Sequence, residues 1–253
     1  MAPTQSASPS LAEHVQRQLM GADNAAPTLA RQLPPVSAHC TRVYLCRHGQ
    51  TDFNLQRKLQ GRGVDMALNE EGVLQANYLA RSMQNVPLRA IYSSSLRRAA
   101  DTAHIVAQCH PKLRVEGFTE LQEMSFGQLE GKKFEELEDQ KLAIFRQWEH
   151  GDFRAPFPEG ECPMDVVARG FAKIDALVKA TSPQDEILVV THGRFNKIVL
   201  AQMLHGALTH MQEIKQENTC VNVVDFDHQA QQYLPVALNN VSHLPYSSAA
   251  LAI

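Results

Sequence analysis

Strand-like and helix-like segments alternate along most of this chain, and this order restricts the possible folds more than any other feature. Short runs of β-branched and apolar residues at 42–46, 90–92 and 186–190 are typical of strands. Between them, apolar residues recur every three or four positions, as at 73–83, which indicates a helix with one buried face. Such alternation favours a three-layer α/β/α fold around a mainly parallel central sheet.

The same criteria place the remaining elements. Apolar periodicity predicts further helices at 96–106, 134–148, 164–178 and 195–203, and β-branched runs predict strands at 113–118, 220–226 and 233–238. Ser94 or Ser95 is the expected N-cap of the helix at 96–106, because a serine hydroxyl can accept a hydrogen bond from the first helical turn. Prolines and a glycine between 154 and 162 predict a loop.

Composition narrows the classes of partner. The 253 residues include 24 Lys and Arg and 27 Asp and Glu, a net charge of −3, which gives no reason to expect a nucleic acid or an anionic membrane as partner. The longest run of strongly apolar residues, 187–190, is far too short to cross a membrane. Neither the net charge nor the apolar content indicates a particular oligomeric state.

The cysteines argue against two kinds of stabilising site. They number five, and no two have the Cys-x-x-Cys spacing, so neither a disulfide framework nor a thiolate zinc site is indicated. Free thiols fit a reducing compartment, and we expect a cytoplasmic protein.

The N-terminal segment, residues 1–38, is rich in Ala, Ser, Pro and Gln and precedes the expected domain, residues 39–253. We expect a disordered tail with one short helix near residues 11–20. The alternative is a transit peptide, because acidic residues are few, and this would place the protein in the mitochondrion or the plastid. The segment offers no apolar stripe for a core, so its removal is expected to leave folding unchanged.

Two of the predicted strands end in the same way. An Arg-His-Gly sequence containing His48 follows the strand at 42–46, and a Thr-His-Gly sequence containing His192 follows the strand at 186–190. In open α/β sheets, ligands bind beyond the carboxyl ends of the strands. We therefore expect the two histidines to face each other across one cleft.

The neighbours of these histidines favour an anion over a metal ion. Arg47 precedes one histidine, Arg194 lies two residues after the other, and Arg98 begins a helix after a third strand. Cations at a cleft repel a metal ion and attract an anion, and the planar guanidinium suits phosphate oxygens. We therefore expect a phosphate pocket that uses no metal ion and no other cofactor.

A free imidazole in a phosphate pocket suggests covalent catalysis. Neutral histidine can attack phosphorus and form a phosphohistidine. The leaving oxygen then requires a proton, which a carboxylic acid near the rim can supply. Glu123 is a candidate because Leu121, Met124 and Phe126 surround it in the sequence, although a loop glutamate is more often simply solvated.

Residues 47–54, Arg-His-Gly-Gln-Thr-Asp-Phe-Asn, resemble the Arg-His-Gly-x-Thr-x-x-Asn signature of the histidine phosphatase superfamily, the phosphoglycerate-mutase-like proteins. Other segments resemble further motifs of this family in the same order, and the likeness spans about residues 41–245. These segments are 61–76, 92–103, 121–131, 158–161, 191–193 and 218–219. One such motif is a weak signal, but the ordered series indicates this family and implies its α/β/α fold.

The resemblance also implies roles for individual residues. His48 would be the nucleophile, and Glu123 would first protonate the leaving group and then activate water. The phosphoryl group would be held without a metal ion by Arg47, Asn54, Arg98, His192 and Gly193. The rest of the substrate would contact Gln60, Gly61 and Arg194.

Arg194 departs from the family pattern, in which small residues are frequent at this position. It would either supply a cation for a second acidic group on the substrate or pair with a surface carboxylate to cap a loop. Aromatic residues in the segment that would cover the leaving group, Trp148, Phe153 and Phe157, could stack on a substrate. Packing is the commoner role for such side chains.

The family contains both phosphatases and mutases. In its cofactor-dependent mutases a long insertion closes over the site, whereas the corresponding segment here, 132–163, is shorter and resembles the phosphatase branches. Water could then reach a phosphohistidine. We therefore expect a phosphomonoesterase of the histidine acid type that acts on a small phosphorylated metabolite. A cofactor-dependent phosphoglycerate mutase and a catalytically silent protein that binds phosphorylated ligands are the alternatives.

Overall fold

One central sheet organises residues 28–245, the part of the chain that the computed structural model describes. The strands are β1 (Cys40–Arg47), β2 (Leu88–Ser94), β3 (Val115–Phe118), β4 (Glu186–Thr191), β5 (Val221–Asp227) and β6 (Gln232–Asn240). They lie in the order β3-β2-β4-β1-β5-β6. The pairs among the first four in this order are parallel, whereas β5 is antiparallel to both of its neighbours. The predicted mainly parallel sheet is confirmed.

Helices connect the strands and cover the sheet. They are α1 (Leu29–Gln32), α2 (Asp52–Leu55), α3 (Glu70–Met83), α4 (Arg97–Ala107), α5 (Glu138–Glu149), α6 (Pro163–Val166), α7 (Ala172–Lys179) and α8 (Gly193–His205). A π-helical turn, Val167–Phe171, joins α6 to α7. Within residues 28–245, no helix is long and apolar enough to cross a membrane.

The helix predicted at 134–148 begins later than expected. The chain forms a 3₁₀ turn at Phe134–Leu137, and the α-helix starts only at Glu138. Lys133 forms an isolated antiparallel bridge with Lys58, and Phe134 donates its N–H to the Arg57 carbonyl oxygen at 2.9 Å. The backbone is therefore extended at Lys133 and forms one 3₁₀ turn before the α-helix begins.

The start of α4 also differs from the prediction. Leu96 is the N-cap residue and makes no side-chain cap, while Ser94 is the last residue of β2. Ser94 Oγ accepts a hydrogen bond from Leu96 N–H at 3.2 Å and contacts His192 Nε2 at 2.8 Å. Ser94 therefore belongs to the end of β2 and not to the start of α4. The prediction of Ser94 or Ser95 as the N-cap residue is wrong.

Both faces of the sheet are buried. Along β1, Val43 and Leu45 belong to one apolar cluster, and Tyr44 and Cys46 belong to the other. The same alternation occurs in β4, because successive side chains of a strand point to opposite faces. Coverage of both faces explains why these strands are continuous apolar runs in the sequence.

The carboxyl ends of β1 and β4 lie side by side. The two strands are parallel neighbours, and their register pairs Arg47 with Thr191. His48 and His192 are the next residues along each strand, so they emerge at the same edge of the sheet. The parallel strands β2 and β3 end at this edge too, and the candidate site lies there.

The last part of the N-terminal segment packs against the domain. Leu29 is 2% exposed and belongs to an apolar cluster with residues of α3. Arg42 Nη1 donates to the Pro34 carbonyl oxygen at 2.7 Å. These contacts contradict the expectation that residues 1–38 contribute nothing to the core. The helix expected near residues 11–20 lies outside the described residues.

Replacing Leu29 with alanine should lower the free energy of unfolding by about 2–4 kcal/mol, because truncation of a buried leucine removes apolar contacts and leaves a cavity. Urea unfolding followed by circular dichroism measures the change. Leu55→Ala is the matched control, since this leucine is 65% exposed, and its effect should stay below about 0.5 kcal/mol. Equal stability of the Leu29 variant and the wild-type protein would show that α1 does not support the fold.

Candidate active site

The two histidines expected to share a cleft are close neighbours. The ring centroids of His48 and His192 are 5.2 Å apart, and the ring planes are tilted by 60°. Both side chains are buried. The parallel register of β1 and β4 produces this approach, because each histidine directly follows its strand.

The hydrogen bond of His48 determines which ring nitrogen carries the proton. His48 Nδ1 lies 2.7 Å from the Gly49 carbonyl oxygen. A carbonyl oxygen only accepts hydrogen bonds, so Nδ1 is the donor and Nε2 keeps its lone pair. Burial, and then the charges of Arg98 and Arg47, hold the pKa of His48 well below its ordinary value. The ring is therefore neutral at physiological pH, and Nε2 can act as a nucleophile.

In His192 the ring nitrogen with a hydrogen-bond partner is Nε2 and not Nδ1. Its Nε2 lies 2.8 Å from Ser94 Oγ. Among the described residues the Ser94 hydroxyl has no other acceptor for its own proton, so we assign that proton to the bond with His192 Nε2, and the imidazole proton then resides on Nδ1. Nδ1 is buried and has no hydrogen-bond partner within residues 28–245. Burial lowers the pKa of His192 well below its ordinary value. His192 thus presents an unused N–H donor.

Two arginines bring buried positive charge to the same edge. Arg47 Nη1 donates to the Gln216 carbonyl oxygen at 2.7 Å, and Arg98 donates to the carbonyl oxygens of Val64 and Gly61 at 2.7 and 3.2 Å. Burial lowers the pKa of Arg98 to about 10 and also lowers the pKa of Arg47, yet both stay protonated at neutral pH. Their Nε atoms are buried without a partner among the described residues.

The polar residues after β1 support this edge in different ways. Asn54 Oδ1 accepts hydrogen bonds from Thr51 N at 3.1 Å and from Asn218 Nδ2 at 3.3 Å, which ties the loop after β1 to the loop before β5. Gln60 Oε1 accepts from the Thr51 hydroxyl at 2.9 Å, and Gln60 Nε2 is buried without a partner in the described part of the chain. Asn54 therefore fixes loops, whereas Gln60 adds another unused donor.

The two predicted glycines act through their backbone. The Gly61 carbonyl oxygen accepts from Arg98, and a Cβ at this position would lie 2.1 Å from Glu130 Oε1. A Cβ on Gly193 would lie 3.1 Å from Arg47 Nε. Any side chain at either position would push against a residue of the site, so glycine keeps the pocket open.

The Glu123 carboxylate lies against the N-terminal turn of α8. Its Oε1 accepts N–H groups of Met124 and Phe195, each at 2.8 Å, and its Oε2 accepts the Arg194 N–H at 3.0 Å. These three N–H groups, two of them from the first turn of α8, hold the carboxylate in one position. Glu123 is 5% exposed, so the structure brings this carboxylate to the same region as the histidines and arginines.

The contacts of Arg194 argue against one of the two roles that the sequence left open, the ion pair that caps a loop. Its Nη1 donates to Gln212 Oε1 at 2.7 Å, and its guanidinium lies over the Phe145 ring, 4.9 Å from the centroid. Among the side chains that the structure describes, no surface carboxylate pairs with it. The capping role expected for an ion pair therefore lacks its acidic residue.

The aromatic residues of the covering segment are packed among themselves. Trp148 and Phe157 are almost fully buried and meet edge to face, with their ring centroids 5.5 Å apart. Phe153 is partly buried against the same apolar cluster. These side chains form the core beneath the segment, which confirms packing over substrate stacking.

Arg169 is a further residue of this region that the sequence did not reveal. Its guanidinium donates to the carbonyl oxygens of Glu120, Gln122 and Glu123 at 2.7, 2.8 and 3.1 Å, and it pairs with both carboxylate oxygens of Glu161. Glu161 Oε2 also accepts Ser125 N–H at 2.8 Å. The backbone on both sides of the Glu123 side chain is thus held by one ion pair.

Replacing Arg169 with lysine should lower kcat about 10- to 100-fold while KM changes little, because a single ammonium cannot hold three carbonyl oxygens and a carboxylate, and small displacements of a reacting group are costly. Steady-state kinetics on a phosphate monoester separates the two parameters. Arg154→Lys, on an exposed side chain, is the matched control. A kcat within twofold of wild type would show that Arg169 does not position Glu123.

The chain is similar to a known protein family over most of its length. The family model of the histidine phosphatase superfamily (branch 1) matches residues 43–239. A relative named "Probable phosphoglycerate mutase GpmB" from Yersinia pestis (strain Pestoides F) is 30% identical over 186 residues, which cover 73% of this chain and 85% of the relative.

Solved structures with the same fold are named as phosphatases. A mycobacterial glucosyl-3-phosphoglycerate phosphatase, in complex with VO3, matches with a TM-score of 0.70 and 26% identity, over 78% of this chain and 98% of its own. A phosphoserine phosphatase from Entamoeba histolytica, in complex with 3-phosphoglyceric acid, matches with a TM-score of 0.70 and 27% identity, over 81% of this chain and 99% of its own. Family model, relatives and fold agree: the chain belongs to the histidine phosphatase superfamily.

Proposed function

We propose that the protein is a phosphomonoesterase that hydrolyses a small phosphorylated metabolite through a phosphohistidine on His48, without a metal ion. The observation that carries this proposal is the set of unused donors around the histidine pair. Within residues 28–245, Arg47 Nε, Arg98 Nε, His192 Nδ1 and Gln60 Nε2 are buried and have no partner. Buried donors without partners are costly unless a ligand satisfies them. A tetrahedral phosphoryl group supplies acceptors for several such donors at once, and two of them carry positive charge.

The first chemical step transfers the phosphoryl group to His48. Nε2 attacks phosphorus, the bond from phosphorus to the leaving oxygen breaks, and its electron pair stays on that oxygen, which takes a proton from Glu123. The ring of His48 then carries a positive charge, and its Nδ1–H bond to the Gly49 carbonyl oxygen stabilises it. Arg47, Arg98 and His192 meet the charge that develops on the phosphoryl oxygens.

The second step releases phosphate. Water attacks phosphorus, Glu123 takes one of its protons, and the phosphorus–nitrogen bond breaks with its electron pair returning to Nε2. The proton that Glu123 donates in the first step can arrive with the substrate. A phosphate monoester loses its second proton near pH 6, so the monoanion can deliver one at mildly acidic pH. This fits an acid-type phosphatase.

A cofactor-dependent phosphoglycerate mutase is the second candidate. It is favoured by the name of the Yersinia relative, whereas the similar solved structures are named as phosphatases. A mutase has to keep water from its phosphohistidine. The shorter covering segment favours hydrolysis over that alternative.

The test is phosphate release from a panel of phosphate monoesters in the presence of EDTA. We expect the purified protein to release inorganic phosphate from p-nitrophenyl phosphate and from at least one phosphorylated sugar or hydroxy acid. Interconversion of 2- and 3-phosphoglycerate after priming with 2,3-bisphosphoglycerate, with little phosphate released, would identify a mutase instead. A protein that binds these esters but neither hydrolyses nor isomerises them would be the silent binding protein.

A further inference from the structure

Two cations lie side by side on the first turns of α8, next to the phosphate pocket. Arg194 and Lys197 are three residues apart, which places them on the same face of the helix. Both are partly buried. We refer to Arg194 and Lys197 as the α8 cation pair.

The position of the α8 cation pair is unfavourable in the free protein. The N-terminus of a helix carries a partial positive charge, which favours acidic residues there and disfavours cations. The first turn of α8 contains no acidic residue. Two cations at this end are unfavourable, and the one carboxylate at the same end, Glu123, can offset only one of them.

The contacts of the pair within the described residues are neutral. Arg194 Nη1 donates to the side-chain oxygen of Gln212 at 2.7 Å, and Lys197 Nζ donates to its backbone oxygen at 3.2 Å. Neither cation forms an ion pair with any of the side chains that the structure describes. Burial, and then repulsion from Arg194 and Arg47, lower the pKa of Lys197 to about 8, and burial lowers the pKa of Arg194 to about 10. The side-chain nitrogen of Gln212 is itself buried without a partner in the described chain.

The neighbouring acid offsets only one of the two positive charges of the pair. Glu123 is the carboxylate whose charge favours protonated Arg194. Both of its oxygens already accept backbone N–H groups, including that of Arg194. The α8 cation pair thus keeps a surplus of positive charge beside the candidate acid.

The location indicates which part of a substrate would meet this charge. Glu123 is the proposed proton donor to the leaving oxygen, and the Arg194 N–H is bonded to its Oε2. A Cβ on Gly193 would lie 3.1 Å from Arg47 Nε, so the pocket borders the first turn of α8. A group attached to the leaving oxygen therefore lies on the side of the cation pair.

We propose that Arg194 and Lys197 bind a second anionic group on the leaving-group side of the substrate, so that the protein prefers phosphate esters of acidic alcohols. The second group is a carboxylate, whose two oxygens can accept from both cations, or another phosphate, which also carries nearly enough charge to neutralise them. The proposal rests on the proposed function, because it takes the orientation of the ester from the role of Glu123. Of the two roles open to Arg194 from the sequence, it selects the substrate contact.

The test compares esters that differ only in the second group. 2-Phosphoglycerate has a carboxylate where glycerol 2-phosphate has a hydroxymethyl group, and fructose 1,6-bisphosphate has one phosphate more than fructose 6-phosphate. We expect kcat/KM to be at least about tenfold higher for the acidic ester of at least one pair, in line with a hydrogen bond to a charged group. The pair that shows the preference identifies the second group.

Substitutions then assign the preference to these two residues. Arg194→Met should lower the ratio of acidic to neutral kcat/KM at least about tenfold, and Lys197→Met at least about threefold. Arg194→Lys keeps the charge and should retain most of the ratio. Arg114→Met is the matched control, because Arg114 is exposed before the amino end of β3, opposite the site. It should leave the ratio unchanged.

Two results would overturn the proposal. One is a wild-type protein that does not distinguish the paired esters. The other is an Arg194→Met variant that slows acidic and neutral esters equally, which would limit Arg194 to its packing on Phe145. If no ester is hydrolysed, the proposed function fails, and calorimetric titration of the same esters tests the cation pair separately. Tighter binding of an acidic ester that is lost in Arg194→Met supports the pair, and equal affinities exclude it.

Discussion

Replacing His48 with alanine should lower turnover of any substrate at least about a thousandfold, since removal of a covalent nucleophile is seldom compensated. The structure gives a specific reason. His48 Nδ1 is held by the Gly49 carbonyl oxygen at 2.7 Å, which leaves the lone pair on Nε2, and its lowered pKa keeps the ring neutral. His192, with its proton on the nitrogen that lacks a partner, cannot take over this role without changing its contact with Ser94.

Steady-state kinetics of His48→Ala is compared with that of His104→Ala, which removes an exposed histidine from α4 and should leave turnover unchanged. Circular dichroism and the melting temperature establish that both variants fold. Activity of the His48 variant above about one per cent of wild type would exclude this residue as the nucleophile.

Replacing Glu123 with glutamine should slow esters with poor leaving groups about a hundred- to ten-thousandfold, while esters with good leaving groups lose much less in the phosphorylation step. An alkoxide leaves poorly without a proton, whereas p-nitrophenolate leaves well. Glutamine keeps the shape of the side chain but cannot deliver the proton. It also turns an N–H group toward one of the three backbone donors that the carboxylate accepts, so the stability of the variant has to be measured as well.

The comparison has to be made in single-turnover experiments, because breakdown of the phosphohistidine also uses Glu123 and could equalise the steady-state rates. Rapid mixing of excess enzyme with an alkyl phosphate and with p-nitrophenyl phosphate isolates the first step. Equal slowing of that step for both esters would show that Glu123 is not the acid. Glu130 would then be tested first, because burial raises its pKa, and Glu120 second.

The positions of the two histidines could be predicted because they depend on a simple rule. His48 and His192 each follow an apolar run, and parallel strands bring such positions to one edge of the sheet. The arginines and Glu123 were found through their motifs. The order of strands and long helices followed from the same alternation. The ends of some elements differed, as at Phe134 and Leu96, the short helices α1 and α2 were not predicted, and a π-helical turn divides the helix predicted at 164–178.

Properties that depend on contacts between distant residues could not be read from the sequence. Each histidine follows a strand and precedes a glycine, but a carbonyl oxygen next to one and a hydroxyl next to the other give them different protonated nitrogens. The role of Arg169 depends on a π-helical turn that ends at Phe171, and a single sequence carries no periodic signal for such a turn. Leu29 does not belong to an extended apolar pattern, so its burial could not be predicted from the sequence.

The most direct test of the central proposal is the identification of the phosphorylated atom during turnover. The protein is mixed with excess p-nitrophenyl phosphate, quenched in base within milliseconds because phosphohistidine is labile to acid, digested, and analysed by mass spectrometry and by ³¹P NMR. We predict a phosphoryl group on Nε2 of His48, formed at a rate no slower than turnover and absent from His48→Ala. Hydrolysis without any such adduct, or with the phosphoryl group on His192 or another residue, would contradict the account.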